Sequence, residues 1–194
     1  MKLRLPQKRW KKIVVISFPV MVLLAVVGMF LLNYFSNMEP SFSQNASSSP
    51  LVVTSSAFGN GVSIPIKYTG DGENINPPLQ IYEIPESTVS VVLIVDDPAF
   101  PLMTWNHWLV WNIPVINGTV SIDEASTIGI QGKNSWRTNI YGGPDPPFGT
   151  HNYYFKAYAL NINLDLNSDQ GKSAVLSAMN NHVLAKGELV GAYP

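Results

Sequence analysis

The sequence predicts a mainly β protein, a β-sandwich with one late helix, preceded by a single transmembrane helix. Three observations point there. Residues 88–95 and 153–160 are short runs rich in β-branched or aromatic residues, one continuous and one alternating. After residue 50, apolar positions take up a persuasive helical rhythm only over residues 172–186. Residues 13–32 are uncharged and predominantly apolar.

The chain has 194 residues, 46% hydrophobic and 13% charged, with a formal net charge of −1. That length allows one ordinary domain with an appendage and leaves no room for two sizeable cores. The absence of cysteine excludes disulfide scaffolds, thiolate zinc sites and thiol nucleophiles. The near-zero charge is a difference between two separated populations. Lys2, Arg4, Lys8, Arg9, Lys11 and Lys12 carry six positive charges, whereas residues 39–194 carry six positive and thirteen negative, a balance of −7.

A helix over residues 13–32 measures about 30 Å, the thickness of the bilayer hydrocarbon core. Pro19 and Gly28 do not disqualify it, since both residue types are frequent in membrane helices. A cleaved signal peptide would show a shorter apolar core and a small-x-small cleavage site. The expectation is therefore an uncleaved anchor over residues 13–33 in the cell membrane, single-pass. The basic stub 1–12 would be cytoplasmic and the rest extracellular. Residues 34–50, with six serines and two prolines, read as a Ser-rich linker. Asn45-Ala46-Ser47 and Asn117-Gly118-Thr119 match the glycosylation sequon, which suits an external domain.

The remaining domain, residues 51–194, is read as strands punctuated by Thr69-Gly70-Asp71-Gly72, Asn76-Pro77-Pro78 and Asn117-Gly118. The run 88–95 is expected to be a central strand buried on both faces. Residues 107–112 are a second strand. In the third, 153–160, Tyr153, Phe155, Ala157 and Ala159 share one face and Tyr154, Lys156, Tyr158 and Leu160 the other. Val175, Leu176, Met179, Val183 and Leu184 give the late helix its stripe, and Gly187 is its expected stop.

The chemistry concentrates in two segments. One runs from Asp96-Asp97-Pro98 to Trp105-Asn106-His107-Trp108, directly after the central strand. The other is the loop from Tyr141 to His151, dense in glycine and proline, which reads as a rigid pocket wall rather than a linker. Asp96 is expected to cap or turn the strand end. Trp105, Trp108 and Trp111 are read as core or rim packing, His182 as structural, and Tyr141 as either loop packing or a ligand contact.

Ser56-Ala57-Phe58, Ile64-Pro65, Tyr68-Thr69-Gly70-Asp71-Gly72, Pro77-Pro78-Leu79, Asp97-Pro98 with Pro101, His107-Trp108-Leu109-Val110, Tyr141-Gly142-Gly143-Pro144 through His151, and His182-Val183-Leu184-Ala185 stand in one order along the chain. In that order and spacing the chain resembles the phosphatidylethanolamine-binding protein family, in its prokaryotic Raf-kinase-inhibitor-like (YbhB/YbcL) branch. The resemblance covers residues 52–193. It implies a sandwich of antiparallel sheets with a C-terminal helix and a small anion pocket at one end. The ligand-binding set it implies is Asp97, Pro101, His107, Gly143, Asp145, Pro146, Pro147, His151 and Tyr153. One departure stands out: the family's usual Asp-Pro-Asp-Ala-Pro is Asp97-Pro98-Ala99-Phe100-Pro101 here, which replaces a carboxylate and adds a large apolar side chain at the rim.

The residue chemistry agrees with such a pocket. Two imidazoles and the Tyr153 hydroxyl offer donors to a phosphate-like or carboxylate oxygen. Asp97 would orient a histidine or pair with the ammonium of an ethanolamine head group. Without Lys or Arg in the set, anion affinity is expected to tighten as the histidines protonate.

The expected function is thus a membrane-tethered external binding domain for phosphate, a phospholipid head group or a carboxylate. The alternative is an inhibitor of an envelope or secreted protease or another partner protein. An enzyme using Asp97 and His107, or a metal held by Asp97, His107 and His151, is disfavoured because neither a G-x-S-x-G elbow nor a recognisable ligand spacing occurs. No cofactor and no nucleic-acid partner are expected.

Overall fold

The structure, a computed structural model, describes residues 18–36, 38–98 and 104–194. The first element, α1 (Phe18–Ser36), precedes strands β1 (Val52–Thr54), β2 (Val62–Ser63), β3 (Leu79–Tyr82), β4 (Ser90–Asp97) and β5 (Trp105–Ile113). The chain continues through β6 (Val120–Ile122), β7 (Ile130–Gln131), β8 (His151–Leu160), α2 (Lys172–Ala178) and β9 (Val183–Tyr193).

Two sheets form the body, a three-stranded one in the order β1-β3-β6 and a six-stranded one in the order β2-β9-β8-β4-β5-β7. All pairs are antiparallel except β2 with β9, which is parallel and departs from the expected antiparallel pattern. Every residue of β4 is buried, as a strand needs when both faces of its sheet are covered. Its Val91, Leu93 and Val95 enter the cluster shared with the small sheet, whereas Val92 and Ile94 enter a second cluster with Val175, Leu176 and Met179 of the α2 region. In β8 the expected faces are found: Tyr153, Phe155, Ala157 and Ala159 join the first cluster, Tyr158 and Leu160 the second. Fully burying one such aliphatic side chain contributes about 1.5–3 kcal/mol, so the two-sided burial of β4 makes it the keystone of both layers.

The structure corrects the late helix. Only Lys172–Ala178 is helical, and the chain ends in the eleven-residue strand β9 rather than a helix running to residue 186. Asn181 takes the left-handed region at φ 64°, a conformation that ends helices, and the chain then turns into the sheet. Val183 and Leu184 fitted a helical stripe because β9 is irregular where it pairs with β8: Ala159 faces Ala185 and Leu160 faces Val183, leaving Leu184 as an extra residue. A buried, bulged strand puts neighbouring apolar residues side by side, as a helix face does in sequence.

The expected membrane anchor is also overturned. Among the described residues no helix is long and apolar enough to cross a membrane. The described helix, Phe18–Ser36, takes in part of the expected span, and residues 13–17 of it lie outside the described residues. The single-pass location with an extracellular domain rested on that anchor and falls with it. The basic stub 1–12 lies outside the described residues.

The Ser-rich segment is not a free tether over its described residues. Ser43 and Ser47 donate backbone N–H bonds to the Val183 and Leu184 carbonyls at 2.8 and 2.7 Å, and Ser41 bonds Asn180 and Asn181.

Candidate functional site

The site lies at one end of the core between the sheets, where β4, β5 and β8 bring three polar side chains together. Asp97 is the last residue of β4, His107 is in β5, and His151 begins β8 with Tyr153 two residues on. All four are buried, with Asp97 2% exposed and His107 4%.

A β-bulge aims His107. Val95 pairs with Trp108 and Asp96 with Asn106, so one step along β4 spans two along β5 and His107 is the extra residue. Strict alternation would put Trp105 and His107 on the face opposite Trp108 and Val110. The bulge inverts that relation. Trp105 now sits opposite Asp97, and both Trp105 and His107 line the same pocket as Asp97.

The loop before β8 forms the facing wall. Gly142 and Gly143 are required by close approach: a Cβ on Gly143 would meet Thr69 Cα and the Tyr68 carbonyl at 2.7 Å, and one on Gly142 would meet the Trp136 ring at 2.6 Å. The Gly143 N–H donates to Asn74 Oδ1, the Gly70 N–H to the Pro144 carbonyl, and the buried Tyr141 hydroxyl to the Tyr68 carbonyl. Tyr141 therefore packs the loop, and burial pushes its phenol pKa up.

The pocket encloses about 180 Å³ and is lined by Asp97, Trp105, His107, Trp136, Asp145, Pro146, Pro147 and Tyr153. Six of the nine expected ligand-binding residues thus converge. Gly143 is set back against the Tyr68-Thr69 turn, and His151 stands behind Asp97 rather than in the lining. Pro101, like Ala99 and Phe100, lies outside the described residues. Trp136 was missed by sequence reasoning, although an exposed tryptophan in the polar run Asn134-Ser135-Trp136-Arg137 is itself a signal. Asn134 Oδ1 holds that turn by accepting the Trp136 and Thr138 N–H groups at 3.0 and 3.1 Å.

The hydrogen bonds assign the ring protons. His107 Nδ1 lies 2.7 Å from the Gly142 carbonyl, which can only accept, so Nδ1 is protonated and Nε2 of the neutral ring is an acceptor. Burial lowers the His107 pKa, opposed by backbone bonding to the loop and by the charges of Asp97 and Asp96. His151 Nδ1 donates to Asp97 Oδ2 at 2.6 Å, and its ring stacks on Tyr153 at 27°. Asp97 is thereby tied to His151, while its charge also acts on His107 across the pocket. Burial, then the charges of Asp97 and Asp145, push the Tyr153 phenol up, so it remains a donor. Among the described residues no three His, Asp or Glu side chains are grouped to hold a metal ion.

Residues 54–194 match the family model described as phosphatidylethanolamine-binding protein. The chain belongs to this family. Among curated relatives, a UPF0098 protein of Pyrococcus horikoshii is 43% identical over 148 residues, spanning 72% of this chain and 74% of the relative. One from Pyrococcus abyssi is 42% identical over 154 residues, spanning 74% and 85%. A crystal structure of a phosphatidylethanolamine-binding protein homologue from Chlamydia trachomatis superposes with a TM-score of 0.71 at 37% identity, covering 76% of this chain and 99% of that one. Escherichia coli YbcL, described as a member of the mammalian phosphatidylethanolamine-binding protein family, gives 0.68 at 27% identity over 75% and 98%. The family-sized part of the chain is the double-sheet body, and the pocket lies wholly within it.

Proposed function

We propose that this member of the phosphatidylethanolamine-binding protein family binds, without chemistry, a small zwitterion that carries a phosphate or carboxylate at one end and an ammonium at the other. The observation that carries the reading is the lining itself. Two carboxylates, Asp97 and Asp145, stand among three large aromatic rings, with no Lys or Arg in the wall among the described residues. A bare anion entering there meets like charge. An ammonium is attracted both by the carboxylates and by the faces of Trp105 and Trp136, as in aromatic cages. The acidic end then falls to Tyr153 and to His107, which becomes a second donor only when protonated. The volume of about 180 Å³ suits a head group.

Calorimetry of the full chain with phosphoethanolamine, inorganic phosphate and acetate tests this. Phosphoethanolamine is expected to bind about tenfold more tightly than phosphate at neutral pH, the equivalent of one modest ion pair, with affinity for both rising as pH falls. Equal affinities, or no binding of either, would remove the zwitterion reading.

A further inference from the structure

On the outer face of β8 and β9, away from the pocket, Lys156, Lys186 and Tyr158 converge on one carboxylate. It belongs to Glu39. Tyr158 Oη donates to Glu39 Oε2 at 3.0 Å, Lys186 Nζ lies 3.4 Å from the same oxygen, and Lys156 Nζ lies 3.7 Å from Oε1. These groups line a cavity of about 400 Å³ with Pro98, Tyr154, Gly187 and Glu188.

The arrangement is built rather than incidental. Tyr158 is 2% exposed, so its hydroxyl needs a partner in place. Lys156 is held from beneath by buried Asp96 at 3.4 Å, which Lys172 shares at 2.8 Å. Glu188, opposite Lys156 in the register, is the other acid in the wall. The donors come from two strands while the acceptor comes from a segment more than a hundred residues earlier. The backbone bonds of Ser41, Ser43, Ser47 and Leu51 to residues 180–186 lay that segment alongside β9.

We infer that this face is a carboxylate-docking site, separate from the pocket, whose occupant in this chain is Glu39 of its own N-terminal segment. The segment acts as a strap, fastened by one acidic side chain. The cavity stays open beside Glu39, so an acidic group from elsewhere has room to enter and displace it.

The test uses the full chain with glutarate as the probe, in the wild type, in Glu39→Gln and in Glu39→Gln with Lys186→Ala. Glu39→Gln is expected to bind glutarate about tenfold more tightly than the wild type, since the amide keeps one acceptor oxygen but no longer offers Lys156 and Lys186 a negative charge. The titration should move NMR resonances of Tyr158 and Lys186, and adding Lys186→Ala should abolish it. Equal glutarate binding by the wild type and Glu39→Gln, none by either, or shifts confined to His107 and Tyr153 would overturn the assignment. Phosphoethanolamine binding is expected to be the same in all three proteins, so failure here is distinguishable from failure of the pocket.

Discussion

Asp96 and Asp97 are consecutive in one strand, equally buried, and chemically opposite in use. Asp96 points to the face covered by α2 and is neutralised by Lys172 and Lys156. Asp97 points to the sandwich core, where it pairs with His151 and no Lys or Arg lines the pocket among the described residues. The period of two in a strand sends adjacent carboxylates to different environments, and those environments decide their roles. A carboxylate between lysines is an internal structural pair. A carboxylate beside an imidazole at the wall of a pocket can act on a cation from outside the protein.

The sharpest way to break the comparison is Asp96→Ala. It leaves the largely buried Lys172 ammonium, whose pKa burial already lowers, without its nearest carboxylate. The expected cost is about 3 kcal/mol in denaturant unfolding, with phosphoethanolamine affinity little changed. Asp97→Asn inverts the result: stability falls by about 1 kcal/mol, the worth of one weakened charge-assisted bond, while phosphoethanolamine affinity drops at least about tenfold. Equal stability losses in the two variants would show that the faces are not different.

Acid provides a third handle. His107 is kept neutral by burial, so its folded pKa lies below the ordinary imidazole value. Between those two values the unfolded chain binds more protons than the folded one. Stability from this group is therefore complete above the ordinary value and declines as pH falls through it. Thermal melts of the wild type are expected to show that decline, and His107→Gln to flatten it. Bound phosphoethanolamine should offset part of the loss by favouring the imidazolium. The smallest effect is expected from Lys133→Ala, whose pair with Asp169 is exposed: a loss under about 0.5 kcal/mol, with both sites unaffected.

Much of this was legible in the order of residues. Alternation in β8 assigned its faces correctly, because neighbours on both sides of a central strand leave no freedom to rotate it. The motif order placed Asp97, His107, Asp145, Pro146, Pro147 and Tyr153 in one region. Val183 and Leu184 misled because a bulged strand imitates a helical stripe over a few residues. The length of apolar sequence likewise promised a span that the described helix does not reach. Glu39 and its lysines carry no pattern at all: the partners are separated by 117 to 147 positions and meet only through folding.

The sequence by itself determined the double-sheet class and the residue types of the pocket, since periodicity and turn chemistry are local properties of the chain. Tertiary structure alone decided which histidine holds Asp97, that a bulge turns His107 and Trp105 to the same side, that Trp136 closes the pocket, and that Glu39 lies on the far face. Each of these depends on register between distant strands, and a shift of one residue reverses every side chain beyond it.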